Sequence, residues 1–259
     1  MEKKELLIII PAYNEGKNIR QVLTDLEGLD MKIRADILVI NDASTDSTNW
    51  IVKEMRYPMI SQLFNMGYGC ALQTGYKWAV RRGYRYVIQM DGDGQHDVCN
   101  IPRIYDRLRE ADGDGVCPDI VLGARFMKES SEYPVSAAKK IVYAMFRFLI
   151  RLTTGRRFSD PTTGLQGLSR KAFLYYSKYN HFDDKYPDAN MLILMSLIGF
   201  RVVEIPAVMH LRTEGKSMHS GLKPFWYMLR VMYSVIIILF RVKVLKQDVG
   251  MGERSADKI

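Results

Sequence analysis

The chain has 259 residues, 47% of them hydrophobic and 25% charged, which is enough apolar material for one sizeable core and excludes wholesale disorder. Its formal net charge of +8 favours anionic partners such as phosphorylated substrates, anionic lipid headgroups or nucleic acid, without choosing among them. The three cysteines, Cys70, Cys99 and Cys117, are scattered and form no CxxC pair, which argues against a disulfide framework or a zinc site and for a reducing compartment.

In chain order, Leu6–Ile10, Ala35–Ile40, Met59–Phe64, Tyr86–Met90 and Ile120–Ala124 read as buried strands. Between them Asn18–Leu26, Thr48–Met55, Gly69–Arg82 and Ile101–Glu110 read as helices. This alternation predicts an α/β fold with a mostly parallel central sheet and helices on both faces. Further along, Val135–Leu152, Asp188–Ile198 and Pro224–Phe240 read as helices, and Leu165–Ser169 and Arg201–Val208 as strands. The reading divides the chain into a main domain over 1–222, an amphipathic helix over 223–246 and a flexible tail over 247–259. Leu6–Ile10 is too short for the core of a signal peptide. The most apolar stretch, Val231–Phe240, falls well short of the about 20 residues a membrane-crossing helix needs. No transmembrane helix is expected, but a helix lying on a membrane surface is compatible with the pattern.

In parallel sheets ligands bind at the carboxyl ends of the strands. Those ends carry Pro11–Glu15 (PAYNE), Asn41–Asp46 (NDASTD), Asn65–Gly69 (NMGYG) and Asp91–His96 (DGDGQH). Two carboxylates around one glycine, Asp91-Gly92-Asp93, suit a hard divalent cation that keeps water and phosphate ligands. A plain turn uses the same residues, and the place at a buried strand end favours the metal. Asp42 suits hydrogen bonding to a ribose or base, whereas Asp46 or Ser47 suits the N-cap of the next helix. Glu15 fits the nucleotide pocket or simply the first turn of a helix, where the dipole favours an acid. Gly67-Tyr68-Gly69 lacks the third glycine of a dinucleotide fingerprint, and Gly215-Lys216-Ser217 lacks the first glycine of a P-loop. The Gly-Lys-Ser run still offers backbone amides and a cation to a phosphate. Asp188 opens a helix after Tyr186-Pro187 and reads equally as a helix-start acid or as a general base.

Two helices carry cations at repeating offsets. Lys223, Arg230, Ser234 and Arg241 share one stripe, and Lys140, Arg147 and Arg151 repeat its spacing, among otherwise apolar neighbours. A cationic stripe beside a broad apolar face fits a helix at a membrane surface.

Taken together these segments resemble the inverting family 2 glycosyltransferases of GT-A fold, closest to the dolichol-phosphate mannose synthases and bacterial polyprenyl-phosphate sugar transferases. The likeness rests on IPAYNE at 10–15, NDASTD at 41–46, NMGYGCAL at 65–72, MDGDGQH at 90–96, GARF at 123–126, DPTTGLQ at 160–166, YPD at 186–188 and RTEGKS at 212–217. The resemblance implies a nucleotide-sugar donor held by Pro11, Ala12, Tyr13, Glu15, Asp42, Gly67 and Asp91. It implies Mg2+ or Mn2+ on Asp91 and Asp93 with Gln95. It implies Arg212, Lys216 and Ser217 in a loop closing on the diphosphate, and Arg125, Lys139 and Lys140 facing an anionic acceptor. Asp188, eleven residues before Gly199, matches the acid that serves as base in many members. The expected acceptor is a polyprenyl phosphate, with a sugar hydroxyl of a polysaccharide or lipid-linked oligosaccharide as the alternative. The expected setting is cytoplasmic, peripheral at the inner face of the cell membrane, against its surface or an integral membrane partner, with no nucleic acid involved. The chain departs from the family pattern in three places. Gln166 stands where lipid-phosphate transferases often carry arginine, which weakens the anionic-acceptor reading; Asn190 stands where mannose synthases tend to carry an acid; and lysines, which lack the bidentate fork, replace the synthases' arginine near the acceptor phosphate.

Overall fold

The computed structural model describes residues 5–29, 35–130, 133, 135, 137–185, 187–211 and 223–245. Strand β1 (Leu6–Ala12) lies inside the sheet, with a strand on either side. It pairs in parallel with β2 (Ala35–Asn41) on one side and β4 (Tyr86–Gln89) on the other, and β2 pairs in parallel with the short β3 (Met59–Ser61). All seven residues of β1 are buried, as a strand covered on both faces requires. Alternate side chains go to opposite layers. Leu6, Ile8 and Ile10 join one core with α1 (Ile19–Glu27), α2 (Thr48–Glu54) and α4 (Asn100–Arg109). Leu7 and Ile9 join the other with α3 (Tyr68–Arg82), α5 (Ala137–Thr154), α6 (Arg170–Tyr176), α7 (Ala189–Leu197) and α8 (Lys223–Leu239).

The seven strands run in the order β3-β2-β1-β4-β6-β5-β7. The expected parallel sheet is present, with one reversal: β6 (Gln166–Ser169) lies antiparallel between β4 and β5 (Ile120–Ala124). Strand β7 (Val202–Pro206) then pairs in parallel with β5 at the edge. The strand expected over Met59–Phe64 stops at Ser61, because it is an edge strand with no second neighbour beyond it. Among the described residues no helix is long and apolar enough to cross a membrane.

Helix α7 is apolar almost all round and largely buried, in contact with α5 and α8. Helix α8 sends Val231, Val235 and Ile238 into the core and leaves Met232, Tyr233, Ile236 and Ile237 outside. A π-helical turn over Phe240–Val244 continues it. The stripe expected to face a membrane is therefore partly turned inward. The Ser234 hydroxyl accepts a hydrogen bond from buried Asn190 at 3.0 Å, and Arg241 is half-buried near Tyr175, whose phenol senses its charge. The outward face of α8 is mostly apolar, with Arg230 exposed beside it.

One buried asparagine leads the chain back to the strand ends. Asn100 Nδ2 donates to the Val208 carbonyl at 2.7 Å, and its Oδ1 accepts from the Val208 amide at 2.9 Å. His210 then donates its amide to the Gln95 carbonyl, 2.8 Å away. Replacing Asn100 by Leu would strand the Val208 amide and leave the Val208 carbonyl only the longer bond from the Asp97 amide at 3.3 Å, so Asn100→Leu is expected to lose about 1–3 kcal/mol of stability, measured by urea denaturation.

Candidate active site

The first two strand-end loops are stitched together by their own polar groups. Asn14, in the left-handed region at φ 56°, donates its amide to Ser44 Oγ at 3.0 Å and accepts the Thr45 amide at 2.8 Å. Asp46 Oδ2 accepts the Gly16 amide at 2.8 Å, while its Oδ1 accepts the Thr48 amide at 3.0 Å and so caps α2. Partial burial pushes the Asp46 carboxyl up, but the hydrogen bonds from Thr48 and Gly16 outweigh it and hold the group below its ordinary value. Of the two capping candidates, Asp46 and not Ser47 supplies the side chain.

Asp42 is buried, and its two oxygens accept the amides of Met66 at 2.8 Å and Gly67 at 2.9 Å. In this structure it fastens the third loop to the second strand end. Pro11 and Ala12 are buried, Glu15 is half-buried and holds Asn18 at 2.8 Å, and Tyr13 is exposed beside them. Gly67 has a φ of 98°, a conformation that favours glycine. Gly69 is required for close approach: a Cβ there would lie 1.9 Å from the Asp183 carbonyl oxygen. The segment before α7 thus lies directly on the start of α3.

The acid pair stands at the centre of these loops. Tyr68 Oη donates to Asp91 Oδ1 at 2.8 Å. Burial, and then the Asp91 charge, push this phenol well above its ordinary value, so it stays a donor. The Asp91 amide donates to His96 Nδ1 at 3.1 Å, which leaves the ring proton of the neutral imidazole on Nε2, 3.8 Å from Asp91 Oδ2. Burial lowers His96 to about 4, so the ring is uncharged at neutral pH. Asp93 is buried and accepts the Gln95 amide at 3.1 Å. The Gln95 side chain is tied to Tyr133 Oη at 2.6 Å. Among the described residues no three His, Cys, Asp or Glu side chains converge on one metal-sized position. Two carboxylates with nothing but oxygen donors fit Mg2+ or Mn2+, which completes its shell with water and phosphate oxygens. Gly164 roofs this centre, since a Cβ on it would stand 2.6 Å from Asp91 Oδ2.

Asp188 is half-buried at the start of α7, and its side chain does not cap the helix. Its charge reaches the Tyr68 phenol, so the helix-start acid lies beside the residue that holds Asp91. Asn190 fixes this turn by accepting the Asp188 amide at 3.0 Å and donating to Asp183 at 2.9 Å. Gln166 is buried and donates to the Thr163 carbonyl at 3.0 Å, inside the same roof segment.

Arg125 does not present an open cation. Its Nε and Nη2 donate to Asp160 at 2.6 and 2.7 Å, and Nη2 also reaches Thr162 at 2.9 Å. Asp160 is 0% exposed. Burial alone would lower the guanidinium, but the bonds to Asp160 outweigh it and keep it charged. The guanidinium expected to face an anionic acceptor is thus already engaged by Asp160. Lys139 and Lys140 are exposed on α5. Arg212, Lys216 and Ser217, like Tyr186, lie outside the described residues. Sequence reasoning did not assign roles to Tyr68, His96, Tyr133 or the Asp160 pairing. Asp160 opens the DPTTGLQ motif, and its partner follows strand β5; only the fold joins them.

The family model for glycosyl transferase family 2 matches residues 7–176. The chain belongs to that family. An uncharacterised protein of Methanocaldococcus jannaschii is 38% identical over 118 residues, covering 43% of this chain and 50% of that one. The undecaprenyl-phosphate mannosyltransferase of Micrococcus luteus is 28% identical, over 83% of this chain and 88% of its own. Among solved structures, glucosyl-3-phosphoglycerate synthase from Mycobacterium tuberculosis, in complex with Mn2+, uridine-diphosphate-glucose and phosphoglyceric acid, superposes with a TM-score of 0.66 at 17% identity, over 91% of this chain and 79% of that one. This last likeness extends the shared GT-A fold well beyond the residues the family model matches.

Two outcomes follow from the geometry. Arg125→Met leaves the Asp160 carboxylate buried without its cation and is expected to cost about 3–5 kcal/mol; the Arg125→Met/Asp160→Leu double variant should recover part of this in chemical denaturation. Tyr68→Phe removes the hydrogen bond that orients Asp91 and is expected to weaken Mn2+ binding by about tenfold, read by calorimetry with the nucleotide present, while the melting temperature changes little.

Proposed function

We propose that this family 2 glycosyltransferase moves a sugar from a nucleoside-diphosphate sugar to a polyprenyl phosphate, with inversion at the anomeric carbon. The observation that carries the donor half of the reading is the Asp91–Asp93 pair set among four polar strand-end loops and held by Tyr68 at 2.8 Å. The acceptor half is supported by the lipid-phosphate mannosyltransferase relative, similar over most of both chains.

In this reading Pro11, Ala12, Tyr13 and Glu15 line the nucleoside pocket, and Asp42 shapes it by fixing the Met66 and Gly67 amides. Asp91 and Asp93 hold Mg2+ or Mn2+, which when bound neutralises charge on the diphosphate. Arg212, Lys216 and Ser217 belong to the segment proposed to close on that diphosphate. Lys139 and Lys140 are the open cations on α5 proposed to draw in the acceptor phosphate. The protein is proposed to work at the inner face of the cytoplasmic membrane, where the apolar outward residues of α8 meet the lipid or an integral partner.

A second reading, transfer to a sugar hydroxyl, is favoured by one observation: Asp188 lies near Tyr68 without capping its own helix. A phosphate acceptor arrives as an anion and needs no base, whereas a hydroxyl must lose its proton, and Asp188 would take it. The test is an assay of purified protein with a panel of labelled nucleotide sugars, Mn2+, and either a polyprenyl phosphate or a glycan acceptor. Labelled lipid phosphate that disappears in Asp93→Ala and persists in Asp188→Asn is the expected result. Product on the glycan alone, lost in Asp188→Asn, would overturn the phosphate acceptor in favour of the hydroxyl.

A further inference from the structure

A cavity of about 550 Å³ opens at the β7 edge of the sheet, between α5 and the segment that leads to Asp160. Arg147, Arg151 and Arg157 line it, together with Phe148, Phe158 and Glu204. The three arginines are exposed, and none of their guanidinium groups makes an ion pair or a hydrogen bond with the described residues. Arg147 is braced by the Phe126 ring, with its guanidinium carbon 5.4 Å from the ring centre. The one acid in the lining does not balance them. Glu204 accepts the Ser159 amide at 2.7 Å and the Asp160 amide at 2.9 Å, and burial pushes its carboxyl up. The cavity therefore presents three positive charges over one carboxylate whose lone pairs are already engaged.

These cations sit beside an apolar stripe of the same helix. Ile141, Phe148 and Leu152 are 71%, 63% and 69% exposed, and each follows Lys140, Arg147 and Arg151 by one residue. On a helix that offset rotates each apolar side chain by about 100° from its cation, so a charged row and an apolar row run side by side. A small soluble anion has no use for the apolar row. An amphiphile uses both, its anionic headgroup on the arginines and its chain against Phe148 and Leu152.

We propose that this cavity is an anionic-phospholipid headgroup site that seats the enzyme on the membrane through α5. Its lining is separate from the acid pair and contains neither acceptor lysine, although Lys140 begins the same charged row, and it rests on the membrane-surface reading above while naming the residues and lipid chemistry that make the contact. Its position has a consequence for the reaction. The wall residues Ser159 and Glu204 adjoin Asp160, which holds Arg125, so a lipid seated here is anchored to the same rigid segment that roofs Asp91.

The test is co-sedimentation of the full chain with vesicles of phosphatidylcholine alone or mixed with phosphatidylglycerol, at low and high salt. Wild type is expected to favour the anionic vesicles and to lose that preference at high salt. The Arg147→Gln/Arg151→Gln/Arg157→Gln variant is expected to bind them on the order of a hundredfold more weakly, from about tenfold or less per cation, while its Mn2+-dependent donor hydrolysis, which needs no lipid, is kept. Phe148→Ser is expected to weaken binding to both kinds of vesicle. Equal binding of the triple variant and wild type to anionic vesicles would overturn the site, whatever the acceptor proves to be. Thermal stabilisation of wild type but not of the variant by inorganic phosphate, with vesicle binding equal in both, would reassign the cavity to a soluble anion and also overturn it. Absence of donor hydrolysis in wild type would count against the proposed reaction and leave the vesicle result standing.

Discussion

A parallel sheet buried on both faces confines polar chemistry to the ends of its strands, and every feature of the site follows from that confinement. β1 has no exposed residue to spare, so the groups that contact a ligand must come from the loops after it and its neighbours. Those loops in turn crowd one another, and their backbone amides need acceptors. Asn14, Asp42 and Asp46 supply them. Acids crowded at strand ends look paradoxical until their partners are counted. Asp42 and Asp46 each accept two amides, whereas Asp91 accepts the Tyr68 hydroxyl and Asp93 one amide, and it is this second pair that the proposed reading gives to the cation.

The reversed strand β6 adds a second layer of control. Inserting an antiparallel strand between β4 and β5 brings the segment before it, Asp160–Leu165, across the carboxyl ends of both neighbours. That segment carries the roof glycine over Asp91 and the carboxylate that grips Arg125. A buried ion pair is weak evidence of net stability, because desolvation offsets most of the attraction. Its value here is positional. Arg125 touches Asp160 through two nitrogens and Thr162 through one, and a bidentate guanidinium fixes direction as well as distance. Glu204 grips the same segment from the β7 side, so the roof is clamped at two points.

Much of this was legible in the sequence, for a physical reason. Strands β1, β2, β4 and β5 are continuous apolar runs with polar breaks, and such runs have few other folds open to them. Helix α6 was not legible: Arg170–Tyr176 is short and follows β6 with only Ser169 as its cap. The strand ends pointed to the acid pair because chemistry and topology agree there. Tyr68 did not stand out, since an aromatic at the start of a helix is ordinary until the fold places its hydroxyl against Asp91. The Arg125–Asp160 pairing is not legible because a motif names a residue type and not its partner. Whether an arginine serves a ligand or a neighbouring carboxylate depends on a residue 35 positions away.

The same distinction separates the two helices that spacing alone made look alike. Both carry polar residues at equivalent offsets, and helical periodicity treats them as equal. On α8 the partner of that row is the protein itself: Ser234 meets Asn190, and Arg241 lies near Tyr175. On α5 the row faces outward, and Arg147 and Arg151 meet no carboxylate among the described residues. Periodicity locates a stripe, and packing decides which side of it the protein keeps. α7 makes that decision here. It is apolar almost all round and must be covered on opposite sides. α8 supplies Asn190's hydroxyl partner in doing so, while α5 covers α7 with its own apolar positions, including Phe146 and Ile150. The cations of α5 are thereby left on the far side, facing away from the core.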